Sequence, residues 1–255
     1  MGSFEGKNII ITGASSGIGR ITAIYLSRLG ANLALIARNE KELIQTASLC
    51  REASSKYIDQ SQYRIYQYDL NRSEGLDNLT KQIVSDMGLI SGLVYSAGIA
   101  PMRPLKMTKP DSWKEPMQLN TFSFVEIMRV LSKKRFISDG ASVVVLSSTA
   151  ALKGAKSQLI YSSTKAGLEA VVRCISKELI SKKIRLNALR PTFVRTNMYE
   201  EYKKSWKENG QSEKELFPQG IVEPEQVAAM IAFLLGDESK TIVGTCINID
   251  NGRLL

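Results

Sequence analysis

Seven short apolar runs, alternating with longer stretches of helical spacing, constrain this chain more than any other feature. The runs are NIII (8–11), LALIA (33–37), YRIYQY (63–68), GLVYS (92–96), SVVVLS (142–147), IRLNAL (184–189) and TCINI (245–249). Most are bounded by Gly, Asp or Pro, as strands buried on both faces are. Between them, Ile18, Ile21, Tyr25 and Leu29 fall on one face of a helix over 17–29. The stretches 111–134 and 161–183 predict the two longest helices. Residues 223–236 open on Pro and acids and stop at Gly, as a helix does. Such alternation predicts an α/β fold: one doubly wound, seven-stranded parallel sheet with helices on both faces. No linker, repeat or low-complexity segment divides residues 1–255, so a single domain is expected. The least regular part, 192–222, contains FPQG and is a candidate substrate lid.

Composition narrows the chemistry. Hydrophobic residues make up 44% of 255, a globular proportion. There is no histidine, which excludes Ser-His-Asp hydrolysis and His-ligated zinc. Cys50, Cys174 and Cys246 lie too far apart for metal-ligand spacing or a disulfide framework, and no metal site is expected. The longest apolar run, Val227 to Leu235, is too short to cross a bilayer. The N-terminus lacks the pattern of a signal peptide or a myristoylation site, so a cytoplasmic protein without membrane contact is expected. The net charge of +9 includes the clusters SKKR (132–135) and SKKIR (181–185). They are read first as solvated helix ends, with attraction of an acidic cofactor or substrate as another reading. Basic and aromatic residues do not interleave, so no nucleic-acid partner is expected.

The first strand runs into TGASSGIG (12–19), which holds Gly13, Gly17 and Gly19 in eight residues. Glycines between a strand and a helix let the backbone turn tightly and let a pyrophosphate approach the helix N-terminus. A second motif, YSSTK, places Tyr161 and Lys165 four residues apart on one face of a long helix. An ammonium beside a phenol lowers the phenol pKa from its usual value of about 10. That pair offers acid–base chemistry where no histidine exists.

Together these motifs resemble the short-chain dehydrogenase/reductase family, a Rossmann fold, over essentially the whole chain, and 3-oxoacyl-carrier-protein reductase-like members in particular. The family's T-G-x-x-x-G-x-G loop is matched by Thr12, Gly13, Gly17 and Gly19, with Ser15, Ser16 and Ile18 inside it. Its catalytic Tyr and Lys match Tyr161 and Lys165. Its serine, thirteen residues before the Tyr, matches Ser148 in VVLSSTA, with Ser147 the second choice. Its helix asparagine matches Asn120. An aspartate that holds adenine matches Asp69, followed by Leu70. Ala97 and Gly98 keep the close approach to the dinucleotide, although YSAG carries Tyr95 and Ser96 where the family has two asparagines. Pro191, Val194 and Thr196 match positions around the nicotinamide, with Thr192 replacing the usual glycine.

The resemblance implies an oxidoreductase that moves a hydride between a nicotinamide and a carbonyl or secondary alcohol. In it, Tyr161 carries the proton, Ser148 holds the substrate oxygen, Lys165 binds the ribose and Asn120 holds a water. The second strand ends in Ala37 and Arg38 where NAD-binding relatives carry a carboxylate, so NADP(H) is preferred and NAD(H) remains possible. Glu40 is discounted as the start of the next helix. The expected substrate is a small ketone such as a 3-oxoacyl thioester, free or on an acidic carrier. The alternatives are an alcohol or sugar dehydrogenase working oxidatively and a non-catalytic dinucleotide sensor. A homotetramer or homodimer is the family's usual assembly.

Overall fold

The computed structural model describes residues 3–54, 62–133, 135–208, 212–213, 217 and 219–254. Seven parallel strands stand in the order β3-β2-β1-β4-β5-β6-β7. They are β1 Asn8–Thr12, β2 Asn32–Ala37, β3 Tyr63–Gln67, β4 Ile90–Tyr95, β5 Ile137–Leu146, β6 Arg185–Pro191 and β7 Cys246–Ile249. The continuous apolar runs are explained by a core on each face. Ile9, Ile11, Leu33, Leu35 and Val144 point into one core. Their neighbours Ile10, Ala34, Ile36, Val143 and Val145 point into the other. Successive strand side chains alternate faces, so burying both faces requires an unbroken apolar run.

Helices α1 Gly17–Ser27, α2 Glu40–Ala53 and α9 Pro224–Leu235 cover the first core. Helices α3 Leu76–Met87, α5 Ser123–Leu131 and α7 Leu159–Leu179 cover the second. Short helices α4 Lys114–Met117 and α6 Ala150–Lys153 precede α5 and α7, and α8 Asn197–Glu208 lies within the segment expected to be irregular. Glu40 opens α2, as expected. Strand order reverses between β1 and β4, and in open α/β sheets the crevice at that reversal binds the ligand.

Three expectations need correction. The single helix over 111–134 is broken into a 3-10 turn (Pro110–Trp113), α4, a π-helical turn (Gln118–Phe122) and α5. The extra residue of a π turn redirects side chains, and such turns concentrate at functional sites. Here it aims Asn120 into the protein. Arg185 is not a solvated helix end but is buried. Its guanidinium donates to the carbonyls of Leu234 (2.9 Å) and Gly236 (2.8 Å), closing the C-terminus of α9. Strand β5 starts five residues earlier than the apolar run, across a register irregularity that admits polar residues 138–140.

Candidate active site

The glycine loop earns its composition from sterics. Gly13 has φ +66° and Gly17 φ +52°, both left-handed values. A Cβ on Gly13 would stand 3.0 Å from the Ala97 backbone, and one on Gly19 2.3 Å from the Gly13 carbonyl oxygen. Thr12 Oγ1 accepts the backbone N–H groups of Ser96 (3.1 Å) and Ala97 (3.2 Å), fastening the β1 turn to the β4 turn. Ser16 makes no capping hydrogen bond to α1, so the helix N–H groups it precedes keep their pull on an anion. Arg20, which the sequence did not single out, donates to the Ser15 carbonyl and the Glu42 carboxylate. Its Nε bonds Thr46 Oγ1 at 3.0 Å, tying the loop to α2.

A cavity of about 320 Å³ opens along this loop. Gly13, Ser15, Ser16, Gly17 and Ile18 line it, together with Arg38, Asp69, Leu70, Ala97 and Gly98. Gly19 does not reach it and serves the loop's packing instead. Its shape and donors fit a dinucleotide: bare backbone, an uncapped helix start and a cation at the β2 end. Asp69 Oδ1 accepts the Asn71 N–H (3.0 Å) and holds its own turn.

A second cavity of about 320 Å³ adjoins it, sharing Ile18, Ser96, Gly98, Thr196 and Met198. Ser148, Tyr161 and Lys165 line it, with Pro191, Val194 and Thr196 on the strand side. Burial pushes the Tyr161 phenol up to about 12, outweighing the pull of neighbouring Ser148 towards the phenolate. This corrects the expectation that Lys165 lowers it. The Lys165 ammonium instead donates to the Leu146 carbonyl (2.7 Å) and stands 6.0 Å from the Tyr161 ring centre. Burial brings Lys165 itself down to about 8.

Asn120 lies behind the cavity and does not line it. Its Oδ1 accepts the Ile99 N–H (2.9 Å), and its Nδ2 donates to the Ile99 carbonyl (3.0 Å) and Thr164 Oγ1 (2.9 Å). Those bonds join the β4 turn to the helix that carries Lys165. Of the two serines, Ser147 turns away from Tyr161. It donates to Glu169 at 2.6 Å, and Glu169 takes both Nε (2.7 Å) and Nη2 (2.6 Å) of Arg190. Burial opposes ionisation of Glu169, yet those partners hold its carboxyl below the usual range. Tyr95, one of the two departures in YSAG, is fully buried. Its hydroxyl donates to the Leu119 carbonyl (2.5 Å) and its ring meets Phe124 at 5.4 Å.

A glycine-lined dinucleotide cleft thus opens into a cavity holding Ser, Tyr and Lys, and sequence comparison agrees. A family model described as enoyl-(acyl carrier protein) reductase matches residues 13–253. The chain belongs to the short-chain dehydrogenase/reductase family. It is 30% identical to a 3-oxoacyl-(acyl-carrier-protein) reductase of Thermotoga maritima over 251 residues, covering 98% of this chain and 99% of that one. It is 31% identical to an L-xylulose reductase of Caenorhabditis elegans over 254 residues, covering 98% and 96%. The structure of an L-sorbose reductase from Gluconobacter frateurii superposes with a TM-score of 0.88 at 24% identity, covering 99% and 98%. As a member, the chain is an oxidoreductase of carbonyl and CH–OH groups that binds a nicotinamide dinucleotide. No helix among the described residues is long and apolar enough to cross a membrane.

Proposed function

We propose that this member is an NADPH-dependent reductase of a small ketone, with Ser148, Tyr161, Lys165 and Asn120 as its working residues. The observation that carries the reading is the placement of Ser148, Tyr161 and Lys165 together on the lining of a cavity that adjoins the glycine-loop cleft. A phenol held up at about 12 keeps its proton at neutral pH, which suits a donor more than an acceptor. When bound, the dinucleotide supplies the hydride to the carbonyl carbon. Tyr161 gives its proton to the oxygen as charge builds there, and Ser148 holds that oxygen. Lys165, fixed by Leu146 O, places a positive charge behind the phenol, and Asn120 keeps Ile99 and Thr164 in register around it.

Preference for NADPH rests on the end of β2. Ala37 offers no carboxylate to repel a 2′-phosphate, and exposed Arg38 lines the dinucleotide cavity. Glu40, the nearest acid in the chain, starts α2 instead. The segment 192–222 is assigned as substrate lid. Phe193, Met198, Tyr199, Tyr202 and Phe217 from it line the second cavity. Tyr199, Phe217 and Ile221 also form a small core of their own, with Phe193 against it. The side chain of Trp206 lies outside the described residues.

The test is cofactor oxidation by the purified protein with NADPH and NADH side by side. The substrates are a 3-oxoacyl thioester, a diketone, a cyclic ketone and a keto-sugar, with Tyr161→Phe as control. NADPH-linked turnover that disappears in the variant is expected. Turnover that survives in Tyr161→Phe would overturn the assignment of the acid. NADPH binding without turnover on any ketone would favour a dinucleotide sensor.

A further inference from the structure

Ser148 lies two residues past the end of β5, beyond the strand pairing that would fix its place. Its hydrogen bonds within the turn, from the Ala150 N–H to Oγ (3.1 Å) and from the Ala151 N–H to its carbonyl (3.0 Å), are local and do not set where the turn sits. The neighbours on either side do. The Ser147 N–H donates to the Leu189 carbonyl (2.7 Å) and the Thr149 N–H to the Pro191 carbonyl (3.1 Å), so two backbone bonds straddle Arg190. The Arg190 side chain runs to Glu169 on α7 and donates to both of its oxygens, at 2.7 and 2.6 Å. Glu169 Oε1 also accepts the Ser147 hydroxyl at 2.6 Å, which closes a ring from β5 through α7 to β6. Lys165, one helical turn before Glu169, reaches the Leu146 carbonyl (2.7 Å). Successive turns of α7 thus grip Leu146 and Ser147, the two residues before Ser148.

The side chain of Glu169 is 5% exposed and that of Arg190 15%, and a buried ion pair gives little net stability over apolar side chains of similar volume. What a bidentate pair supplies is direction, because a planar fork accepts one orientation of a carboxylate. We infer that Glu169 is a positioning residue: through Ser147 and Arg190 it holds the β5 turn so that Ser148 meets the substrate oxygen beside Tyr161. This role rests on the reductase reading above and belongs to a residue that the reacting atoms never touch. A misplacement of about 1 Å in a reacting group can cost about 10²-fold in rate.

Crystal structures of the wild type and of Glu169→Gln test the placement without reference to turnover. The amide turns a donor toward Arg190 where the carboxylate had only acceptors, so the fork is lost while the side-chain volume is kept. Ser148 Oγ is expected to move by about 1 Å or more relative to Tyr161 Oη, with the glycine loop unmoved. The double variant Glu169→Met with Arg190→Met removes the pair without leaving a buried charge and should displace Ser148 likewise. A turn that stays in place in both variants would overturn the inference. Kinetics with NADPH and the fastest ketone of the panel above separate positioning from a merely structural role. Glu169→Gln should lower kcat about tenfold to a hundredfold and leave the NADPH dissociation constant within about twofold. In a Ser148→Ala background the same substitution should lower kcat by less than about twofold, because the group it positions is gone. An equal loss in both backgrounds would overturn the inference. A wild type that turns over no ketone would count against the reductase reading alone, and the displacement of Ser148 would still decide the role of Glu169.

Discussion

The two cavities share a rim but are built from different materials. The dinucleotide cavity is made chiefly by backbone: glycines with left-handed φ, a helix start without a side-chain cap, and Thr12 clamping two turns. The substrate cavity is made chiefly by side chains brought from distant places, among them the β5 turn, α6, α7, the 192–222 segment and the C-terminus. The loop behind the first leaves no room for a side chain at Gly19, where a Cβ would stand 2.3 Å from a carbonyl oxygen. The second is walled by rings such as Phe193, Tyr202 and Phe217, which meet edge-on at 5.2 to 5.4 Å. One half is built from backbone and the other from side chains.

The largest effect should fall at the catalytic junction. Tyr161→Phe removes the proposed proton donor and should lower kcat by about 10²–10⁴ while leaving the NADPH dissociation constant within about twofold. Stopped-flow turnover and fluorescence titration measure the two. A parallel loss of both would break the division between the halves.

Next in size is the pH response of Lys165. Its folded value of about 8 lies below the 10.5 of an unperturbed lysine. Between those values the unfolded chain holds a proton that the folded chain has released. Stability from this residue therefore rises with pH across that window, by on the order of 3 kcal/mol. Below about pH 8 the charged group is carried at full cost. Tyr161, raised from 10.0 to about 12, acts in the opposite direction above pH 10. Urea unfolding of wild type and Lys165→Met from pH 7 to 10 should give a smaller rise in the variant. Identical slopes would remove burial as the cause.

A methyl group in the glycine loop should act on structure and dinucleotide binding together. Gly19→Ala is expected to lower stability by about 1–3 kcal/mol through overpacking and to weaken NADPH at least tenfold. Thermal unfolding and calorimetry check this. Unchanged binding would mean that the loop yields more readily than its contacts imply.

The smallest effect belongs to the exposed cation. Arg38→Ala should cut the NADPH over NADH ratio of kcat/KM about tenfold, by loss of one charge-assisted contact of about 1.5 kcal/mol. An unaltered ratio would place the discrimination elsewhere.

What could be read from the residues follows the same division. The strands were visible because an interior strand of a parallel sheet must be apolar throughout, and Ile9, Ile10 and Ile11 alternate between two cores. The glycine loop, Tyr161 and Lys165 were visible because local geometry demands those residues at fixed spacing. The expected helix over 111–134 is broken, because the one extra residue of a π turn carries no breaker signature and shows itself only through where Asn120 points. Ser147 and Ser148 are equivalent as letters. Only the pleat of β5 and the position of Glu169 on α7 send one to Arg190's partner and leave the other beside Tyr161.

The sequence by itself determined the doubly wound sheet, the dinucleotide loop and the Tyr–Lys pair, since each depends on contacts within a few residues or on a repeating pattern. Tertiary structure alone decided the electrostatics and the walls of the substrate site. The raised phenol of Tyr161 comes from burial by remote chain, and Glu169 on α7 meets Arg190 on β6. Burial and long-range charge depend on which segments meet in space, a property that no local run of residues carries.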